Sequence, residues 1–106
     1  MGIILYVLTI ERGGCVYIMI NENHTTIYVG VTADLYSRVY QHKNNDVRNS
    51  FTYRYNCTKL VWYEFLPSIE EAIAKEKQLK NWRIKWKLGL VMNSNPSFQD
   101  IWETLE

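Results

Sequence analysis

The stretch Val16–Gly30, VYIMINENHTTIYVG, decides how this chain folds. Val16, Ile18 and Ile20 alternate with Tyr17 and Met19, and Ile27, Val29 and Val31 alternate with Tyr28 and Gly30. Alternation with period two marks half-buried strands, and the polar run Asn21–Thr25 between them is a loop, so the segment reads as a β-hairpin. Pairing Ile20 with Ile27 puts Val16, Ile18, Val29 and Val31 on one face. Tyr17, Met19, Tyr28 and Gly30 then share the other face, with Tyr17 directly across from Gly30. Glycine has no side chain, so this register leaves open space above the tyrosine. Two phenols and bare backbone on one side, with aliphatic residues on the other, mark the first candidate site.

At 106 residues the chain supports one core. The expected division is an N-terminal extension or extra strand over 1–13, a domain over 14–96, and a closing helix over 97–106. A hydrophobic share of 47% with mixed charge describes a globular chain and excludes disorder. The net charge of +1 argues against indiscriminate polyanion binding and makes any basic patch a local matter. Cys15 and Cys57 have no metal-ligand spacing and read as reduced thiols of a cytoplasmic protein. The apolar run Gly2–Ile10 is too short to span a bilayer and lacks a basic leader or small-residue cleavage site. It reads as an edge strand or extension, with an oligomer contact as the alternative.

Beyond the hairpin, Thr32, Ala33 and Asp34 offer N-caps for a helix over Leu35–Lys43. Leu35 and Val39 face the core. Arg38 and His42 are also four apart and project together from a neighbouring face, over the tyrosine side of the sheet. Residues 43–57, KNNDVRNSFTYRYNC, form a polar loop in which Lys43, Arg48 and Arg54 interleave with Phe51, Tyr53 and Tyr55. Cations suit phosphates and rings suit bases, while the plainer reading has the rings pinning the loop to the domain. Lys59–Phe65 is a third strand rich in β-branched and aromatic residues, and Leu66-Pro67 ends it.

Ser68 with Glu71 makes a capping box that opens the next helix. Its apolar stripe runs Ile69, Ala72, Ile73, Leu79, Trp82 and Trp86, and Glu76 stands where the stripe should continue. A carboxylate on an inward face is costly unless ion-paired, metal-bound or at the lip of a cleft. Lys75, Lys77, Lys80, Arg83, Lys85 and Lys87 make one strongly basic segment, either a solvated helix face or a phosphate-tracking surface. Gly89 is expected to break or bend the helical region before Leu90, and Asn93–Pro96 is a turn. Ser97–Leu105 reads as a short closing helix, with Phe98, Ile101, Trp102 and Leu105 at helical spacing. Its acids, Asp100, Glu103 and Glu106, make it a poor nucleic-acid contact.

Val16-Tyr17 after Gly14 and Cys15, followed about ten residues on by Tyr28-Val29-Gly30, resembles the paired signature of the GIY-YIG nuclease family, spelled here C-V-Y and Y-V-G. Arg38 and His42 resemble its helical arginine and the histidine or tyrosine that follows. Glu76 resembles its metal-binding glutamate, and Asn95 the polar residue near the domain's end. The likeness runs from about Gly14 to Asn95. It is similar to the small single-domain bacterial members and, more distantly, to the nuclease half of the excision-repair incision subunit. Val31 departs from the pattern: the repair enzymes tend to carry lysine after Y-V-G, so any role of that lysine is absent here or supplied elsewhere.

The resemblance implies an α+β fold of the GIY-YIG type, a small, mainly antiparallel three-stranded sheet flanked by helices. It implies a metal-dependent endonuclease that hydrolyses phosphodiester bonds in DNA, leaving 5′-phosphate and 3′-hydroxyl ends, with a single Mg²⁺ or Mn²⁺ held by Glu76. The site residues are then Tyr17, Tyr28, Arg38, His42 and Glu76, shaped by Gly30 and Asn95. Lys43, Arg48, Arg54, Lys77, Lys80 and Arg83 would meet nucleic acid. Hydrolysis needs an activated water, charge neutralisation on the phosphate and a stabilised leaving oxygen. Arg38 supplies a hydrogen-bonding fork for the phosphate, and a carboxylate with waters suits a hard cation. The resemblance makes Tyr17 the general base, a role for which a phenol needs nearby positive charge. His42 suits neutral pH better, as a relay or as the base itself, and both assignments stay open. Tyr28 would orient water or Tyr17, and Gly30 would give room for the phosphate. DNA is the expected partner, with branched DNA and RNA as alternatives; no membrane and no obligate protein partner are implied. A non-cleaving nucleic-acid-binding module on the same fold is the second hypothesis, and a structural or protein-interaction domain the third. The complete set of five polar residues favours the nuclease.

Overall fold

In the computed structural model, which describes residues 13–44 and 54–105, β1 (Gly14–Ile20) and β2 (Ile27–Thr32) pair in the register the alternation requires. Ile20 lies opposite Ile27 and Tyr17 opposite Gly30. The connecting loop is organised by one amide side chain. Asn21 Oδ1 accepts from the Thr25 N–H at 2.9 Å and the Thr26 N–H at 3.0 Å, standing in for a backbone turn. β3 (Lys59–Leu66) pairs with the other side of β1, giving a three-stranded antiparallel sheet in the order β2-β1-β3. The expectations for residues 1–12 and for Arg48, Phe51 and Tyr53 lie outside the described residues.

Because β1 is central, all of its residues are buried, and the two sides of the sheet carry separate cores. Val16, Ile18, Ile20 and Val29 pack with Val61, Ala72, Leu79 and Val91 on the aliphatic side. Cys15, Tyr17 and Met19 pack with Leu35, Val39, Cys57 and Leu60 on the other. The first layer is built by α2 (Ile69–Asn81) and α3 (Ile84–Ser94), the second by α1 (Leu35–Lys43). The caps are those the sequence offers. Asp34 accepts from the Ser37 N–H at 3.2 Å, and Ser68 Oγ accepts from the Glu71 N–H at 3.1 Å.

Two expectations are corrected. The helical region breaks at Trp82 and Arg83, both extended with ψ of 151°, and not at Gly89, which lies inside α3. Neither residue at the break is Gly or Pro, so packing makes it. Trp82 turns onto the aliphatic core with Trp86 edge-on to it at 6.2 Å, and Trp86, assigned to the inward stripe, is 56% exposed. The closing helix is a single 3-10 turn, Trp102–Leu105. The residues before it satisfy the open edge of β3 instead. Ile101 N–H donates to the Leu60 carbonyl at 2.8 Å, and Asp100 accepts from the Leu60 N–H at 3.2 Å and the Trp102 N–H at 3.1 Å. An aspartate that can bond backbone in this way competes with helix formation and covers a strand edge.

Candidate active site

The site begins with the Tyr17–Gly30 pair. A Cβ at residue 30 would lie 2.5 Å from the Tyr17 hydroxyl oxygen and 2.8 Å from Cε1. The space above Gly30 is therefore filled by the Tyr17 ring, and the expected room for a phosphate is not there. Glycine is needed because only a bare backbone lets the phenol lie flat across the ladder. Tyr17 itself is 0% exposed.

The partner of the hydroxyl comes from α1. Leu35, Val39 and His42 form its buried stripe, so the imidazole turns inward while Arg38 stays exposed. This separates two residues expected to project side by side. His42 Nε2 lies 2.9 Å from the Tyr17 hydroxyl. Tyr28 completes a three-ring cluster, its centroid 6.0 Å from Tyr17 and 5.4 Å from His42.

Burial sets the charges of this pair. It pushes His42 down to about 4, and the Arg38 cation adds to the effect. It also raises Tyr17 well above the ordinary phenol range, aided by the neighbouring Tyr28 and opposed by Arg38. Both groups are neutral at pH 7, so a single shared proton lies along the bond. The imidazole lone pair is the strongest available acceptor in this cluster. Arg38 is close enough to act electrostatically on both groups and exposed enough to meet an anion.

Glu76 arrives from the opposite layer. It stands on the inward stripe of α2 between buried Ala72 and Leu79, is only 14% exposed, and pairs with Lys80 Nζ at 3.1 Å. The helix carrying it packs on the aliphatic side of the sheet, in the layer opposite the one that holds Tyr17. Among the described residues no group of three or more His, Cys, Asp and Glu could hold a metal. A lone carboxylate such as Glu76 would suit a hard octahedral cation that keeps most of its waters.

Asn95 shapes the fold behind the site. The β1–β3 register slips between Ile18 and Met19, which leaves ladder groups of β3 unpaired there. Buried Asn95 donates from Nδ2 to the Val61 carbonyl at 3.1 Å and the Gln99 carbonyl at 2.8 Å, and accepts from the Gln99 N–H at 3.1 Å. The same slip hides Tyr63, which lies opposite Tyr17 on β3 and which the sequence reading passed over; strand alternation alone does not reveal it.

The cations sort into two sets. Lys43, expected on nucleic acid, is held by the fold: its ammonium donates to the Thr58 carbonyl at 2.9 Å, pairs with Asp100, and lies 5.7 Å from the Trp102 ring. Nothing local signals that pairing, since Asp100 is 57 positions away. Arg54, Lys77 and Arg83 are exposed, and Lys80 is exposed while paired to Glu76. An apolar cleft of about 460 Å³ at the Gly14 end of the sheet touches Cys15, Leu35, Phe65 and Leu105 but none of the three clustered rings. Both thiols are buried and unpaired; burial raises Cys15 to about 12 and Cys57 to about 11, which makes them inert.

A model of the GIY-YIG catalytic domain matches residues 13–88. A UPF0213 protein from Bacillus halodurans, solved by solution NMR, has a similar fold with a TM-score of 0.51 and 24% identity, over 83% of this chain and 92% of that one. No curated protein matches the chain.

Proposed function

Since the chain belongs to the GIY-YIG catalytic-domain family, a nuclease family, we propose that it is a metal-dependent endonuclease that hydrolyses phosphodiester bonds in DNA. The observation that carries this reading is the buried 2.9 Å bond between the Tyr17 hydroxyl and a neutral His42, with the Arg38 charge acting on both.

The geometry supports a division of work among these residues. Arg38, exposed on α1, donates its fork to the non-bridging oxygens of the phosphate. A free phenolate–imidazolium pair is out of reach. Burial raises the phenol and lowers the imidazole, which disfavours both charges. Tyr17 therefore takes a proton from the attacking water only as its own proton passes to His42 Nε2, which makes His42 the terminal acceptor and Tyr17 the relay. Tyr28, half-buried against both rings, orients the water. Glu76 would hold Mg²⁺ or Mn²⁺, and such an ion, when bound, neutralises the phosphate and the departing 3′ oxygen. Lys80 balances the carboxylate's charge meanwhile.

Exposed Arg54, Lys77 and Arg83 support contact with the flanking strand. Two buried, unpaired thiols support a cytoplasmic location, and no helix among the described residues is long and apolar enough to cross a membrane. The second reading, a binding module that does not cut, is favoured by the full burial of Tyr17 and the existing Glu76–Lys80 pair. Cleavage of plasmid, single-stranded, branched and RNA substrates, with Mg²⁺, Mn²⁺ or chelator, separates the two. The nuclease reading expects metal-dependent cutting of DNA that Glu76→Ala abolishes. Salt-sensitive binding without cutting of any substrate would establish the module.

A further inference from the structure

The segment that carries Lys77, Lys80 and Arg83 also carries an exposed aromatic ring, Trp86. Residues 77–94, KQLKNWRIKWKLGLVMNS, carry five cations, Lys77, Lys80, Arg83, Lys85 and Lys87, and no Asp or Glu. The α2–α3 break lies between Lys80 and Lys85, and Lys85 lines a groove beside an exposed aromatic ring. Trp82, Lys85, Trp86, Gly89, Leu90 and Asn93 line a shallow groove of about 450 Å³ along one face of α3. Its floor is open because a Cβ at Gly89 would meet nothing within 4 Å. Trp86 is 56% exposed, and Trp82 braces it edge-on with ring planes at 84°.

We propose that this groove binds a single strand of nucleic acid, with an unpaired base stacked on Trp86 and its phosphates on Arg83 and Lys85. This deepens the nuclease reading, on which it rests, by naming substrates that carry an unpaired segment. Charge complementarity selects the occupant, since acid-free cations flanking an aromatic platform match alternating phosphates and bases. Asn93 at the groove's end offers both a donor and an acceptor to a base edge. A lipid surface or an apolar protein partner would need a continuous stripe. Trp86 stands outside any such stripe: at about 100° per residue it lies about 160° from Ile84 and about 120° from Met92 around α3, on the face that carries Gly89 and Asn93.

The test is binding in chelator, so that cutting plays no part. A labelled oligo-dT strand, a blunt duplex of equal length and anionic vesicles are titrated with wild type, Trp86→Ala and Trp86→Phe. The expected result is about a tenfold weaker grip of Trp86→Ala on the strand, within the range base–aromatic stacking gives, with duplex binding changed less than about twofold. Trp86→Phe keeps a ring and should restore most of the affinity. Circular dichroism of each variant shows that the fold is intact, as an exposed side chain requires. Equal strand binding by Trp86→Ala and wild type, equal losses on strand and duplex, or preferential capture by vesicles would each overturn the proposal. A wild type that binds in this way without cutting would remove the nuclease reading and leave the groove.

Discussion

Replacing Gly30 by alanine tests how the proton-handling pair is seated. The added methyl would lie 2.5 Å from the Tyr17 hydroxyl oxygen and 2.8 Å from Cε1. Carbon contacts settle near 3.5 Å, so the ring must retreat by roughly 1 Å. It has no free direction, because Tyr17 is buried in a cluster with Met19, Leu35, Val39 and Leu60. A shift of that size takes the 2.9 Å bond to His42 out of hydrogen-bonding range. Overpacking a tight core costs about 1–3 kcal/mol, and the lost buried bond about 1 more. Gly30→Ala should therefore lose about 2–4 kcal/mol of the 5–15 that a domain of this kind has. Urea unfolding followed by tryptophan fluorescence measures the loss, with the denaturant slope unchanged. NMR titration of the imidazole gives a second readout, since loosening the packing around His42 should let it rise from about 4 toward its ordinary 6.5. A loss under about 0.5 kcal/mol, the scatter of surface substitutions, with an unmoved His42 titration, would refute the seating of Tyr17 against Gly30.

Other outcomes follow from the same contacts. His42 is lowered in the folded state, so its contribution is fully present above pH 6.5 and is lost as pH falls toward about 4, where both states bind the proton. Wild type should shed up to about 3 kcal/mol across that window relative to His42→Gln, as measured by urea midpoints at each pH; parallel curves would contradict the shift. Asn95→Ala strands the Val61 and Gln99 carbonyls and should cost about 2–4 kcal/mol, while below its melting temperature it leaves the His42 titration unchanged. Gly89→Ala puts a better helix former into open space inside α3 and should stabilise by about 0.5–1 kcal/mol; a loss of stability in thermal melts would show that the helix needs glycine there.

The hairpin was legible because strand alternation has a strict period and a one-residue slip would bury the wrong face, so the Ile20–Ile27 register and both faces follow from Val16–Gly30 alone. Glu76 was legible as a polar interruption of an apolar stripe, which also allowed an ion pair with a basic residue as an alternative; the partner is Lys80. Periodicity says which face a residue shares but not which way its ring leans, and so the space over Gly30 was read as empty when Tyr17 fills it. In α1 the spacing of Arg38 and His42 drew attention to a pair. The buried series Leu35, Val39, His42 was equally present and is the one the packing uses. The break at Trp82, the covering of β3 by Asp100 and Ile101, and the Lys43–Asp100 pair join elements distant in sequence or depend on packing. They left no local signal to read.

Tyr17 and His42 are proposed to act as one proton-handling unit. Single-turnover cleavage of DNA with saturating Mg²⁺, comparing wild type, Tyr17→Phe, His42→Ala and the double variant, tests this coupling. Each single change should slow the reaction by about 10²–10⁴-fold, and the double variant should be no slower than the worse single, because the second change removes a group already without its partner. Losses that multiply in the double variant, or a Tyr17→Phe enzyme that cuts at the wild-type rate, would contradict it.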